Sequence, residues 1–140
     1  MISQLNPYVS FKNNARQAME FYQSVFGGTL DIQTFKDQHA SVDPRQDNLV
    51  MHAMLTGASG ITFMGSDAPM NGEYTAGNNF SMSLSGDNEG ELRAYFGKLS
   101  DQGTISAPLE KALWGDVFGM CVDRYGITWL VNIFPVKAQS

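Results

Sequence analysis

His52 is a lone titratable group in an apolar stretch, Leu49-Val-Met-His-Ala-Met-Leu55. An imidazole changes charge near neutral pH, so it suits a general base or a ligand anchor; the alternative is a histidine hydrogen-bonded at the wall of a cleft. The second concentration of chemical side chains is Glu110, Trp114 and Asp116, in Leu109-Glu-Lys-Ala-Leu-Trp-Gly-Asp-Val-Phe118. An indole beside two carboxylates either stacks on a flat or cationic ligand that the acids orient, or packs at a module or subunit interface with its acids solvated. His52, Glu110 and Asp116 together would make a displaced metal site if three distant segments converged. Tyr8 and Ser10 alternate with Val9 and Phe11, and the period of two sends the apolar pair toward a helix and Tyr8 toward a pocket. Met51, Met54, Met64, Met82 and Met120 fall on expected strands, where flexible thioethers line an adaptable pocket or fill a core. The expected ligand-binding set is Tyr8, His52, Met54, Trp114, Asp116, Phe118 and Met120, with His52 as the catalytic candidate. His39, in a polar stretch, is expected to be exposed.

An internal repeat defines the elements that hold these residues. His52-Ala-Met-Leu-Thr-Gly-Ala-Ser-Gly60-Ile-Thr-Phe-Met64 lies without gaps over Phe118-Gly-Met-Cys-Val-Asp-Arg-Tyr-Gly126-Ile-Thr-Trp-Leu130. Asn6 to Phe11 lies likewise over Asn79 to Leu84. A helical pattern follows each: Asn14 as cap with apolar residues at 18, 22, 25 and 26, then Asn88 with Glu91 in the manner of a capping box and apolar residues at 92, 95, 96 and 99. Both helices lead into Gly-Thr-apolar, Gly28-Thr-Leu30 and Gly103-Thr-Ile105. The order β-α-β-β-β therefore occurs twice. The expected fold is α+β: two tandem βαβββ modules, about 1–66 and 79–140, joined by a linker over about 67–78. They form a curved mixed sheet around a cleft, with the helices outside. Asp37 to Asn48 reads as an extended hairpin loop of the kind that covers a site. Gly27, Gly28 and Gly126 read as turn glycines with positive φ, since no helix follows them to make a phosphate cradle.

Composition narrows the partners. The chain has 140 residues, a net charge of −5 and only 9 Lys+Arg against 14 Asp+Glu, without the basic footprint that phosphate-backbone binding needs. Nucleic acid is not an expected partner. One cysteine, Cys121, excludes an intrachain disulfide or a multi-cysteine zinc site and fits a reducing compartment. No apolar run is long enough to span a bilayer and no basic segment leads into an apolar one at the amino terminus, so a cytoplasmic location is expected.

Asn6-Pro-Tyr-Val-Ser-Phe, Ala18-Met-Glu-Phe-Tyr-Gln-Ser-Val-Phe-Gly-Gly, Val50-Met-His-Ala, Gly77-Asn-Asn-Phe-Ser-Met-Ser-Leu-Ser-Gly, Trp114-Gly-Asp-Val-Phe-Gly-Met and Gly126-Ile-Thr-Trp129 resemble the PhnB-like branch of the glyoxalase, bleomycin-resistance and extradiol dioxygenase superfamily, also called the vicinal oxygen chelate fold. The resemblance covers nearly the whole chain. It implies a divalent metal held by four residues, one from the first and one from the last strand of each module. Carried over, those positions fall on Pro7 or Tyr8, on Met64, on Phe80 or Ser81, and on Leu130, and none is a ligand for a hard ion. The implied reading is a protein without the standard metal or any other cofactor, binding a small molecule in the inter-module cleft as a homodimer, as the bleomycin-resistance relatives sequester a ligand without transforming it. The rival is a lyase, isomerase or dioxygenase with a relocated metal or with His52 as base; a structural or regulatory partner protein would leave the cleft unused. Members of the branch also carry a demethylubiquinone methyltransferase label, yet no glycine-rich cofactor loop follows a strand here. No cluster of arginines is present to grip a phosphonate bidentately.

Overall fold

The structure, a computed structural model, describes residues 2–58, 60–68 and 74–136; residues 69–73 of the expected linker lie outside them. The chain divides into two compact units, Met1–Gly77 and Asn78–Ser140. The first contains β1 (Tyr8–Phe11), α1 (Ala15–Phe26), β2 (Thr29–Thr34), β3 (Val50–Thr56) and β4 (Thr62–Asp67); the second contains β5 (Met82–Gly86), α2 (Glu89–Ser100), β6 (Thr104–Lys111), β7 (Val117–Val122) and β8 (Thr128–Ile133). Each unit is thus a βαβββ module with its own four-stranded mixed sheet, in the orders β1-β4-β3-β2 and β5-β8-β7-β6, and in each the first and last strands run parallel. The fold is α+β with two tandem modules.

The alternation along the strands decides which face each helix covers. In β1 and β4, Val9, Phe11, Phe63, Gly65 and Asp67 are buried while Tyr8, Ser10, Thr62, Met64 and Ser66 are more exposed. The buried set meets Ala18, Met19, Tyr22, Val25 and Phe26 of α1, among which Met19 and Tyr22 are fully enclosed. Gly65 is small because a methyl there would press on the Phe11 ring, the Val9 carbonyl and the Met19 sulfur, at 3.0 to 3.3 Å. The second unit repeats the plan, with Trp129, Val131, Ile133, Gly119 and Cys121 buried beneath Leu92, Tyr95, Phe96 and Leu99 of α2. In β3, a bulge opposite Gln33/Thr34 turns Val50 into the core, while His52 and Met54 stand on the other face from Ala53 and Leu55.

The Gly-Thr strand starts have a steric cause. A Cβ on Gly28 would collide with the Thr56 carbonyl and one on Gly103 with the Val122 carbonyl, and Thr56 and Val122 are themselves equivalent positions of the repeat. Gly27, Gly28 and Gly126 have φ of 71°, 90° and 87°.

The helix starts depart from expectation. Asn14 occupies the cap position of α1 without a side-chain bond. The buried carboxylate of Asp67 takes over, accepting from the Ala15 amide at 3.0 Å and, through its other oxygen, from the Val50 amide at 2.8 Å. In α2, Asn88 does cap, accepting from the Glu91 amide at 3.2 Å. The reciprocal half of the expected capping box is missing, because the Glu91 carboxylate accepts from the Tyr95 hydroxyl at 2.7 Å instead. Burial and that carboxylate push the Tyr95 hydroxyl up to about 12.

The Asp37–Asn48 connection is ordered by its own polar groups. Thr34 and Asp37 exchange two bonds of 3.0 Å, Asp43 caps the single 3-10 turn Pro44–Gln46, and the buried Gln46 side chain accepts from the Val42 amide. Its Arg45 and Asn48 gather with Leu49, Asn13, Arg16, Gln17 and Asp67 around a pocket of about 280 Å³. The end of this stretch therefore lies beside the start of α1. His39 is exposed, in a left-handed conformation with φ 54°.

Candidate functional site

Each sheet has a face turned away from its helix, and the expected ligand-binding residues stand on these two faces or at their rims. In the first unit, parallel pairing sets Tyr8 beside Met64, and antiparallel pairing sets Met64 beside Met54 and Met54 beside Asp31. One row across the sheet thus reads phenol, thioether, thioether, carboxylate. His52 lies one step along β3 from this row on the same face. Its Nδ1 is 3.3 Å from the Tyr8 hydroxyl, and the two rings lie 28° from parallel with centroids 5.7 Å apart. Tyr8 and His52 are therefore in contact, and Met54 stands on the same face of the sheet. With Tyr8 as donor, Nδ1 accepts and Nε2 carries the proton outward; with the opposite tautomer, Nδ1 donates and Nε2 is a free base.

In the second unit, Met120 pairs with Leu130 and Phe118 with Asn132, while Glu110 on β6 lies opposite Phe118. Ser83 and Ser85 complete the two rows on β5, beside Leu130 and Asn132. Trp114 sits at the tip of the β6–β7 hairpin, which the Ala112 amide closes onto the Asp116 carbonyl at 2.6 Å, with Gly115 at φ 101°. The indole is 64% exposed and meets the Phe118 ring edge-on at 5.8 Å. Asp116 accepts from the Asn132 amide nitrogen at 2.9 Å. The Trp114, Asp116, Phe118 and Met120 group is thus contiguous around one hairpin.

Asn132, Met64 and Asp31 share these faces and were not in the expected set. A period-two reading from Met120 and Phe118 through the antiparallel partner strand finds Asn132; nothing in the sequence alone marks Asp31, whose role follows from the register of β2 on β3.

The register corrects one assignment. Tyr8 pairs with Met64 and Ser83 pairs with Leu130; since Met64 and Leu130 are equivalent, so are Tyr8 and Ser83. The second first-strand position is therefore Ser83, two residues beyond Ser81. A slip of two keeps every side chain on its face, so alternation could not detect it. The four positions at which the superfamily is expected to hold its metal are Tyr8, Met64, Ser83 and Leu130. That set offers a phenol, a thioether, an aliphatic hydroxyl and a hydrocarbon. It contains no carboxylate and no imidazole, and it does not fit a hard divalent ion. Among the described residues, no three His, Cys, Asp or Glu side chains gather in a metal-binding cluster. His52 belongs to the first unit, and Glu110 and Asp116 to the second.

Two buried groups lie outside the site. Asp123 accepts from the Tyr125 and Ile127 amides at 2.8 and 3.1 Å and from the Trp129 indole at 2.8 Å, fixing the β7–β8 turn. Burial, with Asp123 nearby, pushes the Cys121 thiol up to about 11, so it stays protonated and inert at neutral pH.

Comparison with known proteins agrees with this fold. A family model described as 3-demethylubiquinone-9 3-methyltransferase matches residues 3–132. Protein PA1353 from Pseudomonas aeruginosa is 34% identical over 96% of this chain and 99% of its own, with a TM-score of 0.83. The PhnB protein from Bacillus cereus is 27% identical over 94% of this chain and all of its own, with a TM-score of 0.75. Protein YjdN of Escherichia coli K12 is 27% identical over 96% of this chain and 97% of its own. A glyoxalase-related enzyme from Fulvimarina pelagi, 13% identical with a TM-score of 0.62, shares the fold. No helix among the described residues is long and apolar enough to cross a membrane. The chain belongs to the family described as 3-demethylubiquinone-9 3-methyltransferase, the PhnB-like branch of the glyoxalase, bleomycin-resistance and dioxygenase superfamily.

Proposed function

We propose that the protein binds a small organic molecule on the helix-free sheet faces and holds it without the superfamily's metal. The observation that carries this reading is the pairing of Tyr8 with Met64 and of Ser83 with Leu130. Where the superfamily places metal ligands, this chain has side chains suited to contact with a ligand: a ring, a thioether, a hydroxyl and an aliphatic group. The Tyr8–His52 contact supplies an oriented polar group beside them, which a binding site needs to fix the pose of an otherwise apolar ligand. The reading includes a cytoplasmic homodimer, which sedimentation would test as a species of twice the 15.4 kDa chain mass.

A second reading, a lyase or isomerase using His52 as base, draws on the same contact with the tautomer reversed, so that Nε2 is free to take a proton. Methyl transfer, which the family's description names, draws no support from the strand-to-helix junctions Lys12–Asn14 and Asp87–Asn88, neither of which forms a glycine-rich loop. A thermal-melt screen of small molecules, followed by mass spectrometry of each stabilising compound after incubation, separates the two. Binding predicts saturable stabilisation with the compound recovered unchanged. Catalysis predicts a product that disappears in His52→Ala.

A further inference from the structure

We infer that the ligand is an organic cation with an apolar or aromatic body. The inference rests on the binding reading above and adds the sign of the ligand's charge to it. The observation is where the charged side chains lie. Of the nine Lys and Arg in the chain, eight fall in the described residues, and none of these projects from the helix-free face of either sheet. Lys12, Lys36 and Arg45 are in the β1–α1 and β2–β3 connections, with Arg45 paired to Asp43. Arg16, Arg93 and Lys98 are on the helices, and Arg124 is held by Asp101. Lys111 is on β6 but lies with Asp87 and Glu89 around a pocket of about 230 Å³ at the start of α2, beside the core residue Ile133.

The faces carry the opposite charge. Asp31 lies directly across from Met54, which shares its face, and Glu110 lies across from Phe118. Both carboxylates are exposed and neither is paired with a Lys or Arg in an ion pair given by the structure. On the first face the Met54 thioether lies beside Asp31, with the half-exposed Tyr8 ring at the opposite edge of the sheet; on the second, the Phe118 ring lies beside Glu110, with the Trp114 indole edge-on to it and Met120 farther along β7. A phosphate, phosphonate or carboxylate on either face would give up hydration and meet no Lys or Arg in return, the one imidazole on these faces, His52, being engaged with Tyr8. An ammonium group meets carboxylates, ring faces whose quadrupole attracts cations, and polarisable sulfur. The argument applies to each face taken singly, and the net charge of −5 acts in the same direction at long range.

Calorimetric titration with two probes that share a body and differ in the sign of the head group tests the inference: 4-phenylbutyltrimethylammonium and 4-phenylbutylsulfonate. The expected result is tighter binding of the ammonium by about tenfold or more, as desolvated cation–ring and ion-pair contacts allow. The preference should fall by about threefold or more in Asp31→Asn/Glu110→Gln, while Glu20→Gln/Asp87→Asn, which removes the same charge from helix-side positions, should leave it within about twofold. Equal or tighter binding of the sulfonate would overturn the inference and leave the binding reading intact, as would an equal loss of preference in both double variants. Binding of neither probe at millimolar concentration would also overturn the inference, while the binding reading stands or falls by the melt screen.

Discussion

The two modules reach the same βαβββ topology by different polar anchors. In the first, one buried carboxylate, Asp67 at the end of β4, ties the α1 amino terminus to the start of β3. The equivalent position of the second is Ile133, an apolar core residue. There the helix is capped by its own Asn88, and the buried carboxylate has moved to the β7–β8 turn as Asp123, at a position where the first module has Gly57. The apolar faces that meet the helices are conserved in kind between the modules, while the polar fastenings are not. The topology therefore belongs to the pattern of apolar burial, and each anchor is a local solution to unsatisfied backbone donors at a helix start or a turn.

The largest expected effects come from removing the buried carboxylates. Asp123→Ala and Asp67→Ala each strand two or three buried donors and should destabilise the protein by about 3 kcal/mol, within the range for buried, charge-assisted hydrogen bonds. Denaturant unfolding measures this. If Asp67→Ala costs less than about 1 kcal/mol, Asp67 is not the fastening of the first module. A smaller contrast sharpens the comparison. Asn88→Ala should cost about 1 kcal/mol, as loss of a side-chain cap does, whereas Asn14→Ala should stay within about 0.5 kcal/mol because Asp67 has taken its role. Equal losses at the two asparagines would contradict the division of labour.

The same contrast explains what could be read before the structure. The repeat was legible because Gly60-Ile-Thr and Gly126-Ile-Thr mark equivalent turns and the following strand carries its apolar residues in phase. The helices were legible from their apolar spacing. Asn14 misled because a good cap residue stood at the right place while its competitor, Asp67, lay 53 positions away in sequence and next to it in space. The β5 register was hidden by the strand period, since Ser81, Ser83 and Ser85 alternate identically under a two-residue slip. Tyr8, His52 and Met54 could be assigned to one face by alternation, but the Tyr8–His52 contact requires the parallel register of β1 on β4, which depends on long-range pairing. Asp31 depends on the register of β2 on β3, whereas Asn132 lay within reach of alternation carried through the β7–β8 hairpin.

The helix-free faces differ as well: the first module offers a phenol–imidazole pair, the second an indole and an acid held by an amide, and neither presents a metal-ligand set at its superfamily positions. Elemental analysis of the purified protein, combined with a thermal melt before and after treatment with a chelator, tests that claim most directly, because an ion bound only to the native state raises its stability. The account predicts no divalent metal in stoichiometric amount and the same Tm with and without chelator. One tightly held divalent ion per chain, with a lower Tm once it is removed, would contradict it and turn attention to His52, Glu110 and Asp116 as ligands.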